Sequence, residues 1–365
     1  MRILFIIDGL PGGGAEKVVL TLAEGMTTLG HEVSLFSLRN VCDYPIPSGI
    51  EYKIIQDDSR VFWRKVTEIK RRAKQLDDVI IKSQQAAGEF DLVFSNLHKT
   101  DRIVSQCRSI DQSKIWFCIH GIFSASYLGN KKGFSRWLKQ RKITNVYQHK
   151  NIVGVSQAAI DDLINQFNIT VKNSIEINNP FDIEGILKLA SEPCPLAGSD
   201  YLIHVGRLHP NKRHDRLLKA YAKTQLPYPL ILMGKGSDAY TEKLKSLADE
   251  LGISEKVKFM GFCANPYPYI KHAKVLILSS DSEGFGNVLV ESLICGTPVV
   301  STNCPGGPST ILTGNLACGL SELNENSLAE KIILVCNHPP IIEEKTLMDY
   351  GIIPTALKYL SLANQ

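Results

Sequence analysis

A short apolar run that stops at a glycine-rich loop and resumes as apolar residues at helical spacing occurs twice in this chain. Ile3-Leu-Phe-Ile-Ile7 leads to Pro11-Gly-Gly-Gly14 and then to Val18, Val19, Leu22 and Met26. Tyr201-Leu-Ile-His-Val205 leads to a loop over 206–213 and then to a helical pattern from Leu217 to Ala222. Consecutive apolar residues without polar alternation read as strands covered on both faces, the situation in parallel sheets flanked by helices. Further strand candidates follow each start, at 32–37, 92–95, 115–119 and 152–155, and at 230–233, 257–260, 275–278 and 298–301. Two Rossmann-like α/β halves fit this restart better than one long sheet, and two domains imply a cleft.

Pro180, Pro193, Pro195 and Gly198 cluster in 178–200, which reads as the interdomain linker, and 350–362 reads as a terminal helix after Pro339-Pro340. The apolar runs are far shorter than the ~20 residues that cross a bilayer, and Met1-Arg2 lead straight into a strand without a signal-peptide pattern. Nine cysteines without a Cys-x-x-Cys pair exclude a disulfide scaffold or zinc ribbon and suit a reducing cytosol. Charge is uneven: residues 1–180 hold 24 Lys and Arg against 18 Asp and Glu, the remainder 17 against 19. The excess gathers in two stretches with aromatic residues, 60–74 (Phe62, Trp63) and 131–142 (Phe134, Trp137). Such stretches suit an anionic membrane surface, an acidic substrate, nucleic acid or simply a solvated helix face. A modest overall charge of +4, with no helix-turn-helix or RNA-binding signature, argues against nucleic acid.

Three loops carry candidate chemistry. Gly12-Gly13-Gly14 lies between strand and helix, where free N–H groups and the helix dipole favour an anion or a close-approaching substrate, although G-x-G-x-x-G spacing is absent. Arg207 and Lys212 share the loop after the second half's first strand, so both cations can converge on one anion such as a diphosphate. In Asp281-Ser-Glu-Gly-Phe-Gly-Asn-Val-Leu-Val-Glu291, the N–H groups of Gly284, Phe285 and Gly286 suit phosphate oxygens, with Glu283 and Glu291 on either side. Carboxylates accept from hydroxyls and repel phosphates, so this pattern suits a ligand with sugar hydroxyls at both ends of its phosphates, as in a nucleotide sugar.

These residues, with the Gly-Gly-Gly-Ala-Glu loop and the Val153–Ser156 turn, resemble family 4 of the retaining GT-B glycosyltransferases, in order along nearly the whole chain. The resemblance implies two facing Rossmann-like domains and a last helix crossing back to the first. It places an acceptor domain at 1–182, a nucleotide-sugar donor domain at 183–345 and the returning segment at 346–365. By position it assigns Arg207 and Lys212 to the donor diphosphate, Glu291 to the ribose, and Glu283 to the transferred sugar near its reacting face. Backbone N–H groups of Phe285, Gly286 and Asn287 would assist, beside Gly284, Gly13 and Gly14, while Val290 would pack near the nucleoside. His120 would contact the donor sugar and Asn179 would approach the donor. Thr310 stands where that family commonly has Glu.

The function implied is retaining transfer of a hexosyl group from a nucleoside diphosphate sugar, with a lean to UDP, to a growing glycan or glycolipid. Lipopolysaccharide core, O-antigen or capsule assembly fits. Arg207, Lys212 and a helix start would stabilise the departing diphosphate, and without an Asp-x-Asp motif no metal or other cofactor is expected. The basic stretches suggest peripheral attachment to the cytoplasmic face of the inner membrane. A GT-B sugar-nucleotide epimerase and a non-catalytic nucleotide-sugar binding protein are the alternatives.

Overall fold

The computed structural model describes residues 1–57, 64–129 and 131–365. The chain divides into two compact units, 1–181 with 350–365, and 182–349.

In the first unit the strands are β1 (Arg2–Ile7), β2 (Glu32–Ser37), β3 (Ile50–Ile54), β4 (Leu92–Asn96), β5 (Ile115–Ile119), β6 (Asn151–Gly154) and β7 (Asn173–Glu176). They form a parallel sheet in the order β3-β2-β1-β4-β5-β6-β7. Successive β1 side chains serve opposite faces: Leu4 and Ile6 join a core with Phe36, Phe117 and Tyr147, while Ile3, Phe5 and Ile7 join one with Val19, Leu22 and Trp116. This double burial explains the unbroken apolar runs. Helix Ile352–Leu360 packs in the second core through Ala356 and Tyr359. A Cβ on Gly25 would press on Ile352 and Ala356, so the missing side chain lets helix Gly14–Thr28 meet the returning helix closely.

The second unit holds β8 (Leu202–Val205), β9 (Leu230–Met233), β10 (Val257–Gly261), β11 (Val275–Leu278), β12 (Val299–Thr302) and β13 (Leu320–Ser321), parallel in the order β10-β9-β8-β11-β12-β13. In both sheets the order in which strands are added reverses beside the first strand, between β1 and β4 and between β8 and β11. The carboxyl ends of those pairs are where open α/β sheets place ligands. The stretch 178–200 is not simply a linker. Its residues Ile183–Ala190 form a helix whose Asp182 caps the Gly185 N–H at 2.9 Å.

Candidate functional site

In the second unit, the loops after β8 and β11 are stitched together at the switch point. Asn211 Nδ2 donates to the Ser282 carbonyl at 2.8 Å, Asp281 N–H to the Asn211 carbonyl at 2.9 Å, and Ser279 Oγ to the Lys212 carbonyl at 2.8 Å. Arg216, almost fully buried, and Arg213 both grip Asp281, at 2.6 and 3.1 Å. These bonds hold Lys212 Nζ against Glu283 Oε1 at 2.6 Å, and Ser280 Oγ donates to the same oxygen. Lys212 therefore takes a carboxylate as its partner, where the sequence suggested an anion shared with Arg207; the Arg207 side chain is exposed.

The predicted anion-binding turn follows immediately. Gly286 (φ +95°) lies in the left-handed region and starts helix Asn287–Ile294, which has no acidic residue in its first turn and no side-chain cap. Phe285 and Val290 are buried, and Tyr267 Oη donates to Glu291 Oε1 at 3.2 Å. A neighbouring loop lies directly on this turn: Glu283 N–H donates to the Pro305 carbonyl at 3.0 Å. A Cβ on Gly306 (φ +129°) would collide with the Glu283 carbonyl, and one on Gly307 with that of Phe285. The sequence pointed to this loop for Thr310, yet it is the two glycines that touch Glu283 and Phe285. Asn211 and Gly306 were not legible as site residues because their partners, Ser282 and Glu283, are about 70 and 20 positions away along the chain.

In the first unit the Gly-rich loop stands beside an acid of its own helix. Glu16, in the first turn of helix Gly14–Thr28, is buried, and a Cβ on Gly13 would strike its Oε2. The positive helix end at Gly13 and Gly14 thus already faces a carboxylate of the chain, which disfavours an external anion there. Asp8, after β1, holds Arg39 at 2.6 Å and Lys99 at 3.3 Å.

His120 stands after β5 with Nε2 2.9 Å from Asn96 Oδ1. Asn96 Nδ2 faces the Phe94 carbonyl at 3.2 Å, which orients the amide and makes Oδ1 the acceptor of the Nε2 hydrogen. Nδ1 is then an acceptor lone pair, and burial pushes the ring's pKa down to about 4, so it stays neutral. Asn179, near the end of this unit, is buried.

Of the 60–74 stretch, Arg60, Phe62 and Trp63 lie outside the described residues. Arg72 is buried, donating to the Leu38 and Ile55 carbonyls, and Arg71 pairs with Asp57 at 2.5 Å. Those two cations serve the fold, which corrects their reading as surface charges. The 131–142 stretch is different: Phe134 is 72% exposed and Trp137 48%, and their rings stack at 5.5 Å on helix Gly133–Tyr147. Among the described residues no group of three His, Cys, Asp or Glu side chains is placed to hold a metal, and no helix is long and apolar enough to cross a membrane.

Residues 12–184 match the family described as Glycosyltransferase Family 4, and residues 195–351 the family described as Glycosyl transferases group 1. The chain is 28% identical over 328 residues to the N-acetylgalactosamine-N,N'-diacetylbacillosaminyl-diphospho-undecaprenol 4-alpha-N-acetylgalactosaminyltransferase of Campylobacter jejuni, covering 88% of this chain and 86% of that protein. It shares its fold with Anabaena Alr3699/HepE, solved in complex with UDP and glucose, at a TM-score of 0.70, 20% identity and coverage of 99% and 95%. It also shares it with the lipopolysaccharide outer core galactosyltransferase WaaB, at 0.72, 20% identity and 99% coverage of both chains.

Proposed function

Because this chain is a family 4 glycosyltransferase of the GT-B fold, acting in glycolipid or polysaccharide synthesis, we propose that it moves a hexosyl group from a nucleoside diphosphate sugar to a glycan hydroxyl with retention of configuration. The observation that carries this reading is the Lys212–Glu283 pair at the β8/β11 switch point, beside exposed Arg207 and the helix start at Gly286. A cation and an acid in contact form two halves of one subsite. A diphosphate draws Lys212 and Arg207 to its oxygens, and Glu283, released from Lys212, accepts from the sugar hydroxyls. As the glycosidic bond breaks, charge grows on the diphosphate, where these fixed cations and N–H groups stabilise it most.

UDP is the first nucleotide to test, since Anabaena HepE binds it, and a glycan of the lipopolysaccharide or capsule type is the first acceptor class. With two side-chain cations serving the leaving group, transfer should proceed undiminished in EDTA. The acceptor is expected to bind the first unit. Phe134 and Trp137, among Lys131, Lys132, Arg136 and Lys142, suit a peripheral contact with an anionic membrane carrying a glycolipid acceptor. Incubating the chain with a panel of UDP-, GDP- and ADP-sugars tests the central claim. One donor should raise the melting temperature and be slowly hydrolysed; a panel without either effect ends the reading. An epimerase would convert the donor without an acceptor, and a sensor would bind it without ever releasing the nucleotide.

A further inference from the structure

At the carboxyl end of β4, on the β1/β4 switch point, stands a histidine that the reading above does not use. Leu97 precedes it with φ +74° and ψ 134°, a conformation costly for a side chain with a branched Cγ and one that recurs where a function demands it. The His98 ring sits among Tyr127, Phe123 and Tyr147, at centroid distances of 4.8, 5.6 and 5.8 Å. Its Nδ1 is 3.1 Å from Tyr147 Oη; Tyr147 donates to Asp101 Oδ2 at 2.6 Å, and Ser95 Oγ to Asp101 Oδ1 at 2.5 Å. With Asp101 ionised, both hydroxyl hydrogens go to its oxygens. Tyr147 Oη can then only accept, so Nδ1 carries the hydrogen and Nε2 is left as a lone pair. That Nε2 is sealed from solvent and has no hydrogen-bond partner among the described residues. Burial pushes the ring's pKa down to about 4, so the ring is neutral, and the lone pair stays on Nε2 wherever Asp101 is ionised.

A neutral acceptor atom suits a ligand group that donates a hydrogen, which on a sugar is chiefly a hydroxyl, and repels phosphate. Asp101 is fully buried and burial pushes its pKa up to about 8, so an ionised carboxylate there is unfavourable for folding near neutral pH. An apolar residue or an amide would be the simpler choice, unless the acid is needed to fix the hydrogen of Tyr147 and with it the tautomer of His98. Tyr127, one wall of the ring's box, lies on a π-helical turn, Ser124–Leu128, an irregular element of the kind common at functional sites.

We propose that His98 binds the glycan acceptor, its Nε2 accepting a hydrogen bond from a sugar hydroxyl once the Tyr127 wall moves aside, with Tyr147 and Asp101 as positioning residues. This rests on the glycosyltransferase reading. Two measurements test it, the first independent of any substrate. In the full chain with 15N-labelled histidine above pH 8, one ring, assigned by its loss in His98→Phe, should show a bare Nε2 and a protonated Nδ1. Tyr147→Phe should scramble that preference. A protonated Nε2 in the native chain overturns the proposal.

The second uses octyl N-acetylgalactosaminide as acceptor probe with whichever nucleotide sugar the panel selects. His98→Phe should raise the acceptor KM ~10-fold or more with UDP affinity unchanged, and His98→Gln, whose amide oxygen can stand in for Nε2, should restore part of it. Asp101→Asn should melt higher than the native chain at pH 8 and still weaken the acceptor. The groups facing Asp101 are Ser95 on β4, Cys118 on β5, and Tyr147; Arg102 and Lys142 act on His98. An unchanged acceptor KM in His98→Phe, or an Asp101→Asn chain that is less stable and unaltered in acceptor KM, sinks the proposal. Failure of every donor in the panel sinks the glycosyltransferase reading and leaves the nitrogen spectrum to decide the geometry of His98.

Discussion

Two helices in this chain begin at a glycine-rich turn beyond a strand at the sheet's switch point, and they treat the positive end of the helix in opposite ways. Helix Gly14–Thr28 carries Glu16 in its first turn, buried against Gly13. Helix Asn287–Ile294 carries no acid there and no side-chain cap, and an exposed Arg207 and the Lys212–Glu283 pair stand at the same sheet edge. A terminus already facing a carboxylate of its own chain gains little from a phosphate; one without such an acid gains a charge-assisted contact. Similar glycine loops thus do not imply similar ligands. The second unit's edge suits a diphosphate, and the first unit's edge, with neutral His98 and His120, suits hydroxyls.

The largest effect that could break this contrast is at Lys212. Lys212→Ala should lower turnover by ~10²–10³-fold, the scale of losing one fixed group that stabilises developing charge, with the melting temperature little changed. Near-native turnover would mean that the second unit's edge does not hold the diphosphate. A smaller effect tests the helix end itself. Asn287→Asp places an acid in the first turn of that helix, as Glu16 does in the first unit, so UDP affinity should fall ~10-fold while the helix gains a favourable dipole contact; tighter or unchanged UDP binding by calorimetry would refute the dipole argument.

The contrast was half legible in the sequence. Ten strands were marked by apolar runs, nine of them because their positions inside a sheet bury both faces and the tenth, β10, although it is an edge strand; β2, β5, β9 and β11 match the read bounds residue for residue. The three that escaped, β3, β7 and β13, are all edge strands. In β3 and β7 the burial pattern never becomes continuous, since an edge strand is covered on fewer sides, and β13 is only two residues long. The loops with Arg207, Lys212, Glu283 and Gly286 were legible because each is a local motif. Glu16 facing Gly13 was visible only as part of a pattern, and its charge was not set against the helix end. The Lys212–Glu283 bond, the Gly306 contact and the His98–Tyr147–Asp101 chain join residues distant in sequence, for which no spacing rule exists.

Acid should act on both units through their buried histidines, a moderate effect. Burial lowers the pKa of His98, His120 and His204 to about 4 and of His214 to about 2, while the unfolded chain protonates near 6.5. Between those values the unfolded state binds more protons, so stability falls as pH drops from 6.5 toward 4, by on the order of 1 kcal/mol per unit for each histidine that stays neutral. Asp101 has the opposite slope, losing stability as pH rises from about 4 to about 8. His214 is fully buried, and neither ring nitrogen has a partner among the described residues, so His214→Leu should flatten the acid limb of the second unit's melting curve. An unchanged pH slope would show that His214 is not neutral in the folded state.

The smallest expected effect returns to the first helix. If Glu16 serves as the internal anion of that terminus, Glu16→Gln should cost about 0.5–1 kcal/mol of stability, more at low salt than at high, because a charge near a helix N-terminus is screened by ions. UDP affinity should not change if the diphosphate binds the other unit, as proposed. A variant that gains UDP or phosphate binding would show that the acid had been keeping an anion out, which would sharpen the contrast. One that loses UDP binding would show that the first unit's glycine loop holds the donor, and the division of labour between the two helix ends would have to be withdrawn.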